Sequence, residues 1–134
     1  MAYTVLVVDD SQFFQHRLRA MIDEHPDLKV VGVATNGQEA IEMDASLKPD
    51  VISMDYEMPL LDGVSAVKAI LATRKVPIVM FSSLTYEGAK ITLDALEAGA
   101  VDFISKNFAE VSQNSANLKR KLHSTFIAFA KQYR

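Results

Sequence analysis

The sequence predicts an α/β fold: a parallel sheet of five short strands with helices on both faces. Three observations carry that expectation. Five short apolar runs, rich in β-branched residues, recur along the chain, and between them lie segments with apolar residues at helical spacing. Four of the five runs end in a carboxylate, a hydroxyl or a lysine. Strands that alternate with helices pair in parallel through crossovers, and the helices then cover both sheet faces.

The first strand is Thr4–Val8, ending in Asp9-Asp10-Ser11. Leu18, Met21 and Ile22 follow at helical spacing, with Ser11 as N-cap and His25-Pro26 as a stop. Leu28–Ala34 reads as the second strand, closed by the turn signal Asn36-Gly37. Ala40, Ile41 and Leu47 mark the next helix, ended by Lys48-Pro49. The third strand, Val51–Met54, stops at Asp55. Pro59 and Asp62-Gly63 punctuate the loop after it, and Val64–Thr73 is helical in pattern. Ile78–Phe81 forms the fourth strand, followed by Ser82-Ser83. Ile91, Leu93, Leu96 and Ala98 make a helix that Gly99 closes. Val101–Ser105 is the fifth strand, and the rest is helical. There Leu118, Leu122, Phe126 and Phe129 share one face, with lysines left for water.

With 134 residues, 49% of them apolar, the chain has the core of one compact domain and no room for a second. Residues 1–110 are expected to form the domain proper, and 111–134 a C-terminal helix or linker toward a possible downstream domain. The polar stretch Ser112–Asn117 marks the change of composition. No apolar run approaches the length of a membrane span, and Met1-Ala2-Tyr3-Thr4 carries no basic leader region. The absence of cysteine excludes disulfides and thiolate metal sites and is compatible with the cytoplasm. A net charge of −3 supplies no general attraction to nucleic acid or anionic membrane.

Parallel strands carry their carboxyl ends to one edge of the sheet, where ligands bind. Asp9 and Asp10, Asp55, Ser82 and Lys106 all fall at such ends. Singly, each has a plain structural role: acids at a helix start, a turn-forming aspartate, a loop serine, a solvated lysine. Jointly they describe a pocket. Three crowded carboxylates repel unless a cation joins them, and Mg²⁺ suits oxygen ligands shared with phosphate. A carboxylate beside it can attack phosphorus, while an ammonium and a hydroxyl receive the phosphoryl oxygens. His16, His25 and His123 lack metal-ligand spacing and read as ordinary helix or surface residues. Phe13 and Phe14 read as packing or capping the site.

Val7-Val8-Asp9-Asp10-Ser11, Met54-Asp55, Met58-Pro59-Leu60-Leu61-Asp62-Gly63, Ser82 and Phe103-Ile104-Ser105-Lys106 resemble the receiver domain of two-component response regulators over residues 4–106. The resemblance implies a flavodoxin-like sheet in the order 2-1-3-4-5. It implies Asp55 as phosphoacceptor and a sensor histidine kinase as donor. It makes Asp10 and Asp55 direct Mg²⁺ ligands, the main-chain carbonyl of Glu57 a third, and Asp9 a ligand through water. Ser82 and Lys106 would bind phosphoryl oxygens, and Ser82 and Phe103 would be the switch pair. Ser83 leaves the approach to Asp55 open. The Glu57 side chain is a candidate modulator of the phosphorylated state's lifetime. Where receivers carry proline after the lysine, this chain has Asn107, so the Lys106–Asn107 peptide is expected either cis or in a relaxed trans loop.

Ser82-Ser83-Leu84-Thr85, Gly88, Thr92-Leu93, Ala95-Leu96-Glu97, Gly99-Ala100 and Asp102-Phe103 further resemble the receiver of the chemotaxis methylesterase CheB. That implies a C-terminal esterase domain beyond this segment, with no enzyme activity in the segment itself. Stand-alone CheY-like signalling through a partner protein is the alternative, and a phosphorylation-linked dimer is left open. A haloacid-dehalogenase-type phosphatase is the remote third class. It needs a second aspartate two residues after the nucleophile, where this chain has Glu57.

Overall fold

The computed structural model describes residues 2–56, 58, 61–82 and 85–133. Among these, five strands alternate with helices. They are β1 (Tyr3–Val8), α1 (Gln12–Asp23), β2 (Leu28–Ala34), α2 (Gly37–Leu47), β3 (Val51–Asp55) and α3 (Gly63–Thr73). They continue as β4 (Ile78–Ser82), α4 (Tyr86–Ala98), β5 (Asp102–Ser105), α5 (Phe108–Ser112) and α6 (Ala116–Tyr133). The strands pair in parallel in the order β2-β1-β3-β4-β5. The expected fold class is therefore the observed one. Among the described residues, no helix is long and apolar enough to cross a membrane.

The sheet faces follow from alternation along buried strands. Val5, Val7, Val51, Val79, Phe81 and Ile104 point to one side, where Leu18, Met21 and Ile22 of α1 meet Leu118, Leu122 and Phe126 of α6. Leu6, Val8, Ile52, Met54, Ile78 and Met80 point to the other, beneath Ala66, Val67 and Ile70 of α3 and Ala95 of α4. The same parity carries past the strand tips. Asp9, Asp55 and Lys106 continue the odd or even series of Val7, Ser53 and Ile104, so the sheet brings all three to the α1 side.

Several turn residues prove to be caps. Ser11 accepts from the Phe14 amide and Asp62 from Ser65. Asn36 is the N-cap of α2, accepting from the Glu39 amide at 2.9 Å, while Thr35 donates from its amide and hydroxyl to Glu39 Oε1. Those bonds from Thr35 hold the Glu39 carboxyl below its ordinary pKa. Asn36→Ala is expected to cost about 1 kcal/mol, lowering the midpoint of urea unfolding without changing its slope. Gly99 ends α4 at φ +123°, a conformation that favours glycine.

The C-terminal region departs from the single helical segment read in the sequence. Asn107 caps a short α5, and Asn114 at φ +56° turns the chain before α6 starts. Asparagine tolerates that left-handed geometry better than most residues. His25 and His123, which look unrelated in the sequence, meet with ring centroids 5.0 Å apart, and His123 Nε2 lies 2.7 Å from the Met21 carbonyl. A second unforeseen contact lies on the opposite sheet face. There the buried Asp44 pairs with Arg74 at 3.2 Å, and the guanidinium also donates to the Pro49 carbonyl.

Candidate functional site

The site sits at the carboxyl ends of β1, β3 and β5. Asp9 is buried at 1% exposure and Asp55 at 2%, whereas Asp10 lies on the open side. One carboxylate oxygen from each of Asp9, Asp10 and Asp55 lies within 4.8 Å of the others. Lys106 reaches in from the end of β5, its Nζ 3.1 Å from both Asp9 Oδ2 and Asp55 Oδ2. The peptide after Lys106 is trans, so the lysine reaches the pocket without the proline-linked geometry usual in the resembled family.

Backbone contacts fix these groups. The Lys106 amide donates to the Ser82 carbonyl at 2.6 Å, tying β5 to β4 at the pocket floor. The Asp9 amide donates to Ala34, and the Ser11 amide donates to Asp9 Oδ1 at 2.9 Å. Gln15 holds the Asp9 carbonyl through its side-chain amide. Behind Asp55, Gly63 lies so close that a Cβ there would stand 2.6 Å from the Asp55 carbonyl oxygen. Bare glycine lets α3 start directly against the end of β3.

The electrostatics are those of too many acids for one base. Burial pushes the Asp55 carboxyl up to about 7, and the neighbouring Asp9 charge adds to this while Lys106 opposes it. Burial likewise raises Asp9, against the Ser11 amide and Lys106. Burial alone would lower Lys106, but the charges of Asp55 and Asp9 outweigh it and raise its pKa. Among the described residues, Asp55 Oδ1 is buried without a hydrogen-bond partner, and Asp9 Oδ2 meets Lys106 as an ion pair without a hydrogen bond of good geometry. Buried carboxylate oxygens left like this are costly. They fit a hard divalent cation, which takes carboxylate oxygens of this kind.

Ser82 is buried at the last position of β4, in register with Ser105. Phe103, on the edge strand β5, is 46% exposed. Glu57 and Ser83, the remaining site residues read from the sequence, lie outside the described residues. The sequence did not reveal that Lys106 also rests on an aromatic face: its Nζ is 4.3 Å from the centre of the Phe14 ring. The available signal was weak. Leu18, Met21 and Ile22 fix the buried face of α1, and Phe14, one turn before Leu18, continues that face toward the strand tips.

Residues 5–116 match the family described as response regulator receiver domain. A protein-glutamate methylesterase/protein-glutamine glutaminase of Saccharophagus degradans is 69% identical over 132 residues, covering 98% of this chain and 36% of the relative. One from Pseudomonas syringae pv. syringae is 57% identical over 122 residues, covering 91% and 32%. The chain thus spans about a third of the length of these curated relatives. Among solved structures, the response regulator domain of Thermotoga maritima CheB superposes with a TM-score of 0.87 at 45% identity, covering 98% of both chains.

Proposed function

The chain belongs to the response regulator receiver domain family, and from that premise we propose that Asp55 accepts a phosphoryl group from a histidine kinase with the help of Mg²⁺. The observation that carries this reading is the pairing of an orphaned, buried Asp55 oxygen with a lysine that bridges Asp55 and Asp9. Asp10, Asp55, the Glu57 carbonyl and Asp9 through water would hold the cation. When bound, Mg²⁺ supplies charge neutralisation for the acids and for phosphoryl oxygens.

The chain's own groups do the rest. A carboxylate is the nucleophile, so the acceptor must be ionised, and in the metal-free pocket burial works against that. In the transfer, Asp55 Oδ attacks phosphorus, the P–N bond of the donor phosphohistidine breaks, and the freed imidazole nitrogen takes up a proton. Lys106 and the Ser82 hydroxyl receive the phosphoryl oxygens. Preorganised positive charge and donors make up most of such catalysis. Drawing Ser82 toward the phosphoryl group would let the half-exposed Phe103 turn inward, reshaping the face of α4, β5 and the helices after it.

In a cytoplasmic chemotaxis protein, that face would control a C-terminal protein-glutamate methylesterase, reached from domain 1–110 through segment 111–134. The relatives' names and the 45% identity to a CheB receiver support this output over stand-alone CheY-like signalling. A phosphorylation-linked dimer would use the same reshaped face.

Incubation with acetyl phosphate and Mg²⁺ is expected to add one phosphoryl group, seen by intact mass, traced to Asp55 by peptide mapping, and lost in a chelating buffer. An adduct on another residue, or steady hydrolysis of phosphate esters with no adduct, would overturn the proposal.

A further inference from the structure

Lys106 is the group on which the pocket's positive charge depends, and its side chain is long and flexible. The carboxylates that hold it, Asp9 and Asp55, are the same groups assigned to the cation and the phosphoryl group. Neither can be counted on to hold the ammonium while those are bound. A neutral partner that the chemistry leaves alone is needed, and the face of Phe14 is one, 4.3 Å from Nζ. That distance is well inside the range where a ring face attracts an ammonium.

The ring cannot easily turn away. Phe13 and Phe108 each meet Phe14 at 80° with centroids 5.5 and 6.3 Å away, and they stack on one another at 5.2 Å and 26°. Arg17 lies 5.6 Å from the Phe13 ring. Phe108 opens α5 only two residues after Lys106, so the stack ties the loop carrying the lysine to α1. Asn107 anchors the same loop as an N-cap, its side chain accepting from the Glu110 amide at 3.1 Å. Between them, cap and ring stack hold the loop where no proline does.

We infer that Phe14 is a positioning residue for Lys106, its ring face keeping the ammonium aimed at the acceptor when Asp9 and Asp55 are otherwise engaged. The inference rests on the phosphoacceptor reading and extends it to a residue outside the strand tips.

The test compares Phe14→Leu and Phe14→Met, which fill space without a π face, with Phe14→Tyr, which keeps one. In the parent without metal, the Lys106 εCH₂ protons are expected to be shifted upfield by the ring in NMR spectra. The shift is kept in the Tyr variant and lost in the other two. At saturating Mg²⁺, phosphorylation by acetyl phosphate is expected to slow about 3- to 10-fold in the Leu and Met variants, with near-parental rates for Tyr. The Mg²⁺ dissociation constant, measured by calorimetry, is expected to stay within about 2-fold, because the substitutions remove no oxygen ligand.

A parent that gains no phosphoryl group defeats the phosphoacceptor reading and this inference with it. A phosphorylated parent with equal rates in the Leu and Met variants, a Tyr variant as slow as they are, or a Lys106 εCH₂ signal without the shift overturns this inference alone.

Discussion

Replacing Asp55 with asparagine is expected to yield a protein that takes up no phosphoryl group and yet resists unfolding better than the parent at alkaline pH without metal. The loss of uptake follows from removing the nucleophilic oxygen. The stability gain follows from burial. Folded Asp55 titrates at about 7, while an aspartate in the unfolded chain titrates near about 3.9. Between those values the folded state holds a proton that the unfolded state has released. The group's stabilising contribution is therefore full below about pH 4 and is lost as pH rises through about 7. Asparagine has no proton to lose, so variant and parent should be alike near about pH 4, diverge as pH rises from about 4 to about 7, and stay apart by a constant amount above that.

A gap of that size between the folded and unfolded carboxyl corresponds to about 4 kcal/mol. Because the buried amide of the asparagine variant carries a desolvation cost of its own, about 2 kcal/mol is the better expectation, or roughly 5–10 °C in melting temperature. Melting curves in chelating buffer across the pH range check this. A difference between variant and parent that is absent, or the same at every pH, would show that burial of an excess acid is not what governs the pocket. Added Mg²⁺ should raise the parent's melting temperature more than the variant's, since binding only to the folded state stabilises it by mass action.

The excess of acid could be read from the sequence; the geometry that resolves it could not. Strand tips are legible because apolar β-branched runs end abruptly at Asp9, Asp55 and Ser82, and parallel topology sends such tips to one edge. Cap chemistry was legible at Ser11 and Gly99, where a local rule suffices. What remained hidden depends on contacts between residues far apart in the chain. The Phe14–Lys106 contact, the His25–His123 pair and the Arg74–Asp44 ion pair each join separate elements. No periodicity or spacing encodes such pairs. The difference in burial between Asp9 and Asp10 was hidden for a related reason. Both follow β1, but strand parity buries one against Lys106 and leaves the other at the mouth. The break between α5 and α6 lies in plain view in the polar stretch 112–117. It is easily passed over, because asparagine's tolerance of positive φ signals a turn only weakly.

The last helix offers the second large effect. Segment 111–134 can be either a linker lying on the receiver or a layer of its core, and the two differ in what Phe126 does. Its side chain is fully buried beside Leu118, Leu122, Val111 and the α1 residues Leu18 and Ile22. Phe126→Ala is therefore expected to destabilise the domain by about 3–5 kcal/mol, the range for a phenylalanine truncated inside a packed core. That is a large part of the roughly 5–15 kcal/mol holding a domain of this kind folded. Phe129 is only partly buried against the same cluster, so Phe129→Ala should cost clearly less. Urea unfolding of both variants measures the difference. If Phe126→Ala falls within about 0.5 kcal/mol of the parent, as surface substitutions do, then α6 is an appendage and the core closes without it. If the full loss appears, any effector joined through this helix is coupled to the receiver's own hydrophobic core. A phosphorylation-driven change in packing under α6 would then reach the effector along a rigid element, with no need for a flexible tether to carry it.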